Sequence, residues 1–104
     1  MPYGQWVNQL PTSFFMVVHI AAFVLGAGFA WYAFKRELSL LGAAFSLFAA
    51  AEVSYMTYHL DWTVFLFAHT ISEVLDLVAF VLVFLAAVWA TAAARRPAFD
   101  VTPS

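Results

Sequence analysis

Apolar positions along this chain fall into three long blocks. Residues 14–34 (FFMVVHIAAFVLGAGFAWYAF), 38–58 (LSLLGAAFSLFAAAEVSYMTY) and about 64–91 are almost continuously apolar, and the segments between them are short and polar. A helix needs about 20 such residues to cross a bilayer. The pattern therefore predicts an all-α integral membrane protein, a bundle of three transmembrane helices in a single membrane domain. Residues 1–13 are expected to form an outer interfacial segment, 59–63 an outer loop and 92–104 a cytoplasmic tail. The connection Lys35-Arg36-Glu37 is so short that the first two helices must form an antiparallel hairpin. Pro11 with Thr12 or Ser13 marks a helix start, Thr63 or Asp61 is placed to cap the third helix, and Pro97 to end it.

Orientation follows from the basic residues. All four sit at Lys35-Arg36 and Arg95-Arg96, which three spans put on one side of the membrane. The positive-inside rule makes that side cytoplasmic and the N-terminus external. Tyr3, Trp6, Tyr58 and Trp62 then fall at the outer interface, and Trp31, Tyr32 and Trp89 at the inner one. Tyr3, Trp6, Val7 and Leu10 have the spacing of a short interfacial turn, with a frayed terminus as the alternative. Met1 to Ser13 holds no Lys or Arg, so a cleaved signal peptide is not expected.

Composition agrees with a multi-pass protein of the cell membrane. The chain is 65% hydrophobic and 10% charged, too little charge to cover a soluble domain of 104 residues. Four basic residues leave no footprint for nucleic acid. The absence of cysteine excludes disulfides, thiolate metal sites and thiol nucleophiles. No phosphate loop or nucleophile elbow is present, so the chain is not expected to be an enzyme by itself. Eleven of the twelve phenylalanines are spread over the three helices, as membrane burial alone would leave them.

Small residues mark helix contacts, because association in lipid relies on close backbone approach. Ala22, Gly26 and Ala30 recur every four residues in the first helix, with His19 on the same stripe. Gly42, Ser46, Ala50 and Ser54 do so in the second, while Glu52, Met56 and His59 lie on another face. The second helix is thus expected to meet the first with one side and the third helix, or another protein, with the other.

The chemistry lies in ionisable residues set within apolar runs: His19, Glu52, His59, His69, Glu73 and Asp76. Ionised side chains in a membrane interior cost roughly 2.5–3.5 kcal/mol on insertion scales, so they face a bundle interior or a partner, or are protonated. His19, Glu52 and His69 each lie about 8–10 Å below the outer surface at 1.5 Å per residue, and Glu73 and Asp76 continue toward the midplane. One reading is a hydrogen-bonded layer that fixes packing. Another is a metal site of His19, Glu52, His69 and Glu73, with His59 and Asp76 secondary, holding Cu, Zn, Fe or Mn through two histidines and a carboxylate. Haem held by His19 with His59 or His69 is a variant. Met56 beside His59 suits copper, or simple packing. A proton relay through Glu73 and Asp76 lacks a continuation in the inner half.

Beyond the first helix, the turn FKREL, the small-residue helix LLGAAFSLFAAAEV and the helix start Ala68-His69-Thr70-Ile71-Ser72-Glu73 together resemble a group of small uncharacterised archaeal three-helix membrane proteins. The resemblance covers about residues 26–90. It departs at Ser72, which adds one residue to that group's His-Thr-Ile-Glu spacing. It implies a fold rather than an activity.

The functional expectation is an accessory subunit docked by its third helix in a larger integral membrane complex: a respiratory oxidase, a copper membrane monooxygenase or a photosynthetic complex. A metal- or haem-binding protein is the alternative. A sensory module with a cytoplasmic partner is a third possibility.

Overall fold

The computed structural model describes residues 3–95. Residues 96–104, with Pro97 among them, lie outside these, and residues 92–94 of the expected tail continue the third helix. A short 3-10 turn at Gln5–Gln9 precedes three helices, α1 (Thr12–Lys35), α2 (Ser39–His59) and α3 (Phe65–Ala94). All three are long and apolar enough to cross a membrane. The turn occupies the segment that the Tyr3–Leu10 spacing marks, and its Trp6 is exposed.

Both connections use the same backbone device. At the end of α1, Glu37 N–H donates to the carbonyl of Phe34 and Leu38 N–H to that of Ala33, with Glu37 at φ 61. At the end of α2, Asp61 N–H donates to Tyr58 and Trp62 N–H to Thr57, with Asp61 at φ 64. This paired pattern satisfies the orphan carbonyls of a helix end and needs one left-handed residue, usually glycine. Here Glu and Asp occupy it, so each turn carries steric strain of about 1 kcal/mol. The expected cap of α3 is not made. Its N-cap is Val64, with no side-chain hydrogen bond. Asp61 is spent on the α2 turn, and the Thr63 hydroxyl lies 3.0 Å from that of Thr57 instead.

The three helices form an open layer. α2 packs against α1 on one side and α3 on the other, and no Cα of α1 comes within 8 Å of one in α3. The contacts are made by small residues. Gly26, Ala30 and Ala33 are buried on α1, Gly42, Ala44, Ala49 and Ala51 on α2, and Ala68, Ser72 and Ala79 on α3. On α1, Gly26 and Ala30 are buried as their spacing predicts, with Ala33 beside them, while Ala22 is half-buried. The α2 stripe does not follow its spacing: Ser46 and Ala50 are exposed. The buried residues instead form two rows at seven-residue spacing, Gly42 with Ala49 and Ala44 with Ala51. Gly42 and Ala49 face Phe34 and Gly26 of α1. Ala51 faces α3, where its carbonyl accepts a 2.9 Å bond from the Ser72 hydroxyl. The Ser54 hydroxyl donates in turn to the Ala68 carbonyl at 3.1 Å. On α3 the row Ala68, Ser72, Leu75, Ala79, Leu82 and Ala86 alternates four- and three-residue steps, the repeat of helices packed at a shallow crossing angle.

Large side chains point outward. Val17, Val24, Leu66, Leu77, Phe80 and Phe84 are among the exposed apolar residues. At the basic end, Lys35 Nζ sits 4.4 Å from the centre of the Trp31 ring and Arg36 Cζ 5.0 Å from that of Tyr32. Aromatic and cationic groups thus pair where a membrane interface would lie.

Two outcomes test this packing. A Cβ at Gly42 would come within 2.6 Å of the Phe34 ring, and one at Gly26 within 2.9 Å of Phe48. Gly42→Val and Gly26→Val should each cost about 1–3 kcal/mol by overpacking, read by SDS-titration unfolding in mixed micelles. Glu37→Gly should unfold at a higher temperature than Glu37→Gln, since both remove the charge and only glycine relieves the left-handed strain.

Candidate functional site

One row from each helix, beside or sharing the packed seams, brings the ionisable residues within the apolar runs to one face. On α2, Phe45, Phe48, Glu52, Tyr55 and His59 follow one another at three- and four-residue steps. On α1 the matching row is Phe15, His19, Ala22, Gly26 and Phe29. On α3 it is His69, Glu73, Asp76, Phe80 and Val83. Because α1 and α3 do not meet, this face is a shallow trough with α2 as its floor. The half toward the N-terminus of α1, which the basic residues lead one to expect as the outer half, is polar and aromatic, and the other half apolar.

The outer half is organised around His19. Its Nδ1 lies 2.5 Å from Glu52 Oε2, the one salt bridge among the described residues. Both side chains are largely covered, at 17% and 14% exposure. The contact ties α1 to α2 about 10 Å from the outer helix ends at 1.5 Å per residue. With Nδ1 engaged by a carboxylate, Nε2 of His19 is the nitrogen left for other chemistry, the arrangement in which a carboxylate orients an imidazole. Rings pack around it. Tyr55 stacks on His19 at 5.2 Å between centroids, and His59 lies 5.2 Å away at a tilt of 32°. Phe15 stacks on the far side of His59 at 4.9 Å, with Tyr58 against its edge at 5.0 Å. His69 stands apart. It stacks on Phe65 at 5.2 Å, and its nearest ring toward the cluster is Tyr55, at 6.5 Å.

The structure thus divides the expected set of His19, Glu52, His69 and Glu73. It joins His19 to Glu52 and adds His59. It separates His69 behind the Tyr55 ring and leaves Glu73 exposed. Among the described residues, no group of three or more His, Asp and Glu side chains is arranged to hold a metal ion. Met56 is half-buried beside this cluster. The aromatic packing of Phe15, Tyr55, Tyr58 and Phe65 was not foreseen. Tyr55 lies three residues after Glu52 and four before His59, and that spacing is the sequence signal that could have found it.

Deeper in the trough lies a groove of about 450 Å³, walled by Ala22, Gly26 and Phe29 of α1 and by Asp76, Phe80 and Val83 of α3, with Phe45 and Phe48 below. Asp76 is its only ionisable lining residue, and Asp76 Oδ1 is buried with no hydrogen-bond partner.

No family model, curated protein or solved structure matches the chain.

A double-mutant cycle tests the central pair. Glu52→Leu alone should destabilise more than the double variant His19→Leu with Glu52→Leu, because the single change strands an imidazole against apolar surface. The coupling should be about 0.6–1.7 kcal/mol, the range of such bonds between membrane helices, read by tryptophan fluorescence during SDS titration.

Proposed function

We propose that this chain is a small multi-pass protein of the cell membrane, N-terminus outside and C-terminus cytoplasmic, that serves as an accessory subunit of a larger integral membrane enzyme complex. One observation carries the reading. The ionisable residues of α1, α2 and α3 line a face that three helices leave open, and ionisable groups at membrane depth are rarely left to lipid. The His19–Glu52 pair fixes the α1–α2 hairpin, and α3 presents Glu73 and Asp76 to a partner. Large apolar side chains over the remaining surface suit contact with acyl chains or with other spanning helices. A respiratory oxidase, a copper membrane monooxygenase and a photosynthetic complex are hosts of the right kind.

A second reading has its own observation. The 5.2 Å approach of the His19 and His59 rings, with Glu52 orienting the first, suits a shared metal such as Cu, Zn or Fe, or haem with a further ligand from a second chain.

Purification from the native membrane in mild detergent separates the two. On a native gel the chain should migrate with a stable set of larger membrane subunits, identified by mass spectrometry. Replacing Glu73 with leucine should weaken that association while leaving the insertion of all three helices unchanged. Migration near the mass of one or a few copies, with stoichiometric metal or a Soret band in the same gel band, would overturn the accessory reading in favour of the second.

A further inference from the structure

The trough has a length, a chemistry and a missing charge, and together they specify its occupant. We propose that a single transmembrane helix of another protein, carrying Lys or Arg in the outer half of the membrane, lies in the trough between α1 and α3 and pairs with Glu73 and Asp76. The inference rests on the accessory-subunit reading and names the partner surface within it.

Packing argues for a helix. The walls are rows at three- and four-residue steps, His19, Ala22, Gly26 and Phe29 on one side and Glu73, Asp76, Phe80 and Val83 on the other, the repeat that receives the side chains of a fourth helix. The groove at their inner half is apolar apart from Asp76 and holds about 450 Å³. A fourth helix seated there covers Phe29 and Phe80, which are 52% and 73% exposed, and turns the open layer into a closed four-helix arrangement.

Charge argues for a basic residue and against a second copy. Glu73 and Asp76 lie about 12 and 16 Å from the outer end of α3 at 1.5 Å per residue. Neither takes part in a salt bridge among the described residues, and Asp76 Oδ1 lacks any hydrogen-bond partner. The two histidines nearest the trough floor are already engaged, His19 by Glu52 and His59 by its ring neighbours. The described Lys and Arg, at 35, 36 and 95, sit at the opposite ends of the helices. Another copy inserted in the same direction would bring acids to acids. An acyl chain fills the apolar groove but offers no donor to the carboxyls. A cation at this depth is costly alone, and carboxyls at the same depth are what relieve it.

The experiment is site-specific cross-linking in the native membrane. Photoactivatable benzoylphenylalanine replaces Phe80 or Phe29 on the trough walls, or Val53 on the opposite face as a control. These aromatic replacements at exposed positions keep the fold, so the result does not depend on a destabilised variant. The expected outcome is cross-links from positions 80 and 29, not 53, to one spanning segment of a co-migrating host subunit, with Lys or Arg in the cross-linked helix. The double change Glu73→Gln and Asp76→Asn should then lower recovery of that subunit by about tenfold or more. Cross-links to lipid or to a second copy, to a host helix without a basic residue, or from position 53 alone overturn the proposal. In the last two cases the co-migrating host still upholds the accessory reading. Absence of any host on the native gel removes that reading and this proposal with it.

Discussion

In a lipid interior, apolar side chains gain little by leaving acyl chains for one another, so helices that associate there must do so through close backbone approach and polar contacts. The inner surfaces of this chain meet that constraint. Its covered residues are glycine, alanine and one serine, whereas its valines, leucines and phenylalanines are mostly turned out. Small side chains let α1 and α2 approach until Gly42 lies beneath the Phe34 ring. They also leave backbone carbonyls within reach of serine hydroxyls, as Ser72 and Ser54 use them. A soluble protein with these contacts would lack a hydrophobic core.

The same constraint decides where ionisable groups can stand. Small-residue seams have little room for long polar side chains, so Glu52, Glu73 and Asp76 stand on rows beside them, while His19 sits at the open end of the α1 stripe. Because α2 offers its two seams on nearly opposite sides, the row that carries Glu52, Tyr55 and His59 lies between them, and the rows of α1 and α3 flank it on a common face. The His19–Glu52 pair lies where two rows come close enough to touch. Glu73 and Asp76 lie on a row without a salt-bridge partner among the described residues.

Much of the fold was legible in the sequence, because span length and the His19, Ala22, Gly26, Ala30 stripe are set by membrane thickness and helix periodicity. The α2 stripe misled. Four-residue spacing drifts around a helix, so Ser46 and Ala50 leave the contact while the seven-residue pairs Gly42 with Ala49 and Ala44 with Ala51 hold it. The two turns were hidden because Glu37 and Asp61 occupy left-handed positions that glycine usually marks. The site was half legible. Depth placed His19 and Glu52 in one layer, but depth alone cannot show that Tyr55 intervenes before His69, or that Glu73 turns away from α2. Those facts depend on helix rotation, which the seams set and which composition does not encode.

The strictly sequential packing, α1 on α2 and α2 on α3, has a consequence for biogenesis. Every helix–helix contact joins neighbours in the chain, so no long loop must close before a contact forms, and topology presents little barrier to folding. The α1–α2 hairpin, with its imidazole–carboxylate pair, draws no contact from α3 onto α1. The third helix then needs only to slide against an existing surface. Such a chain can assemble in the order in which it is synthesised, each helix meeting a surface already in place.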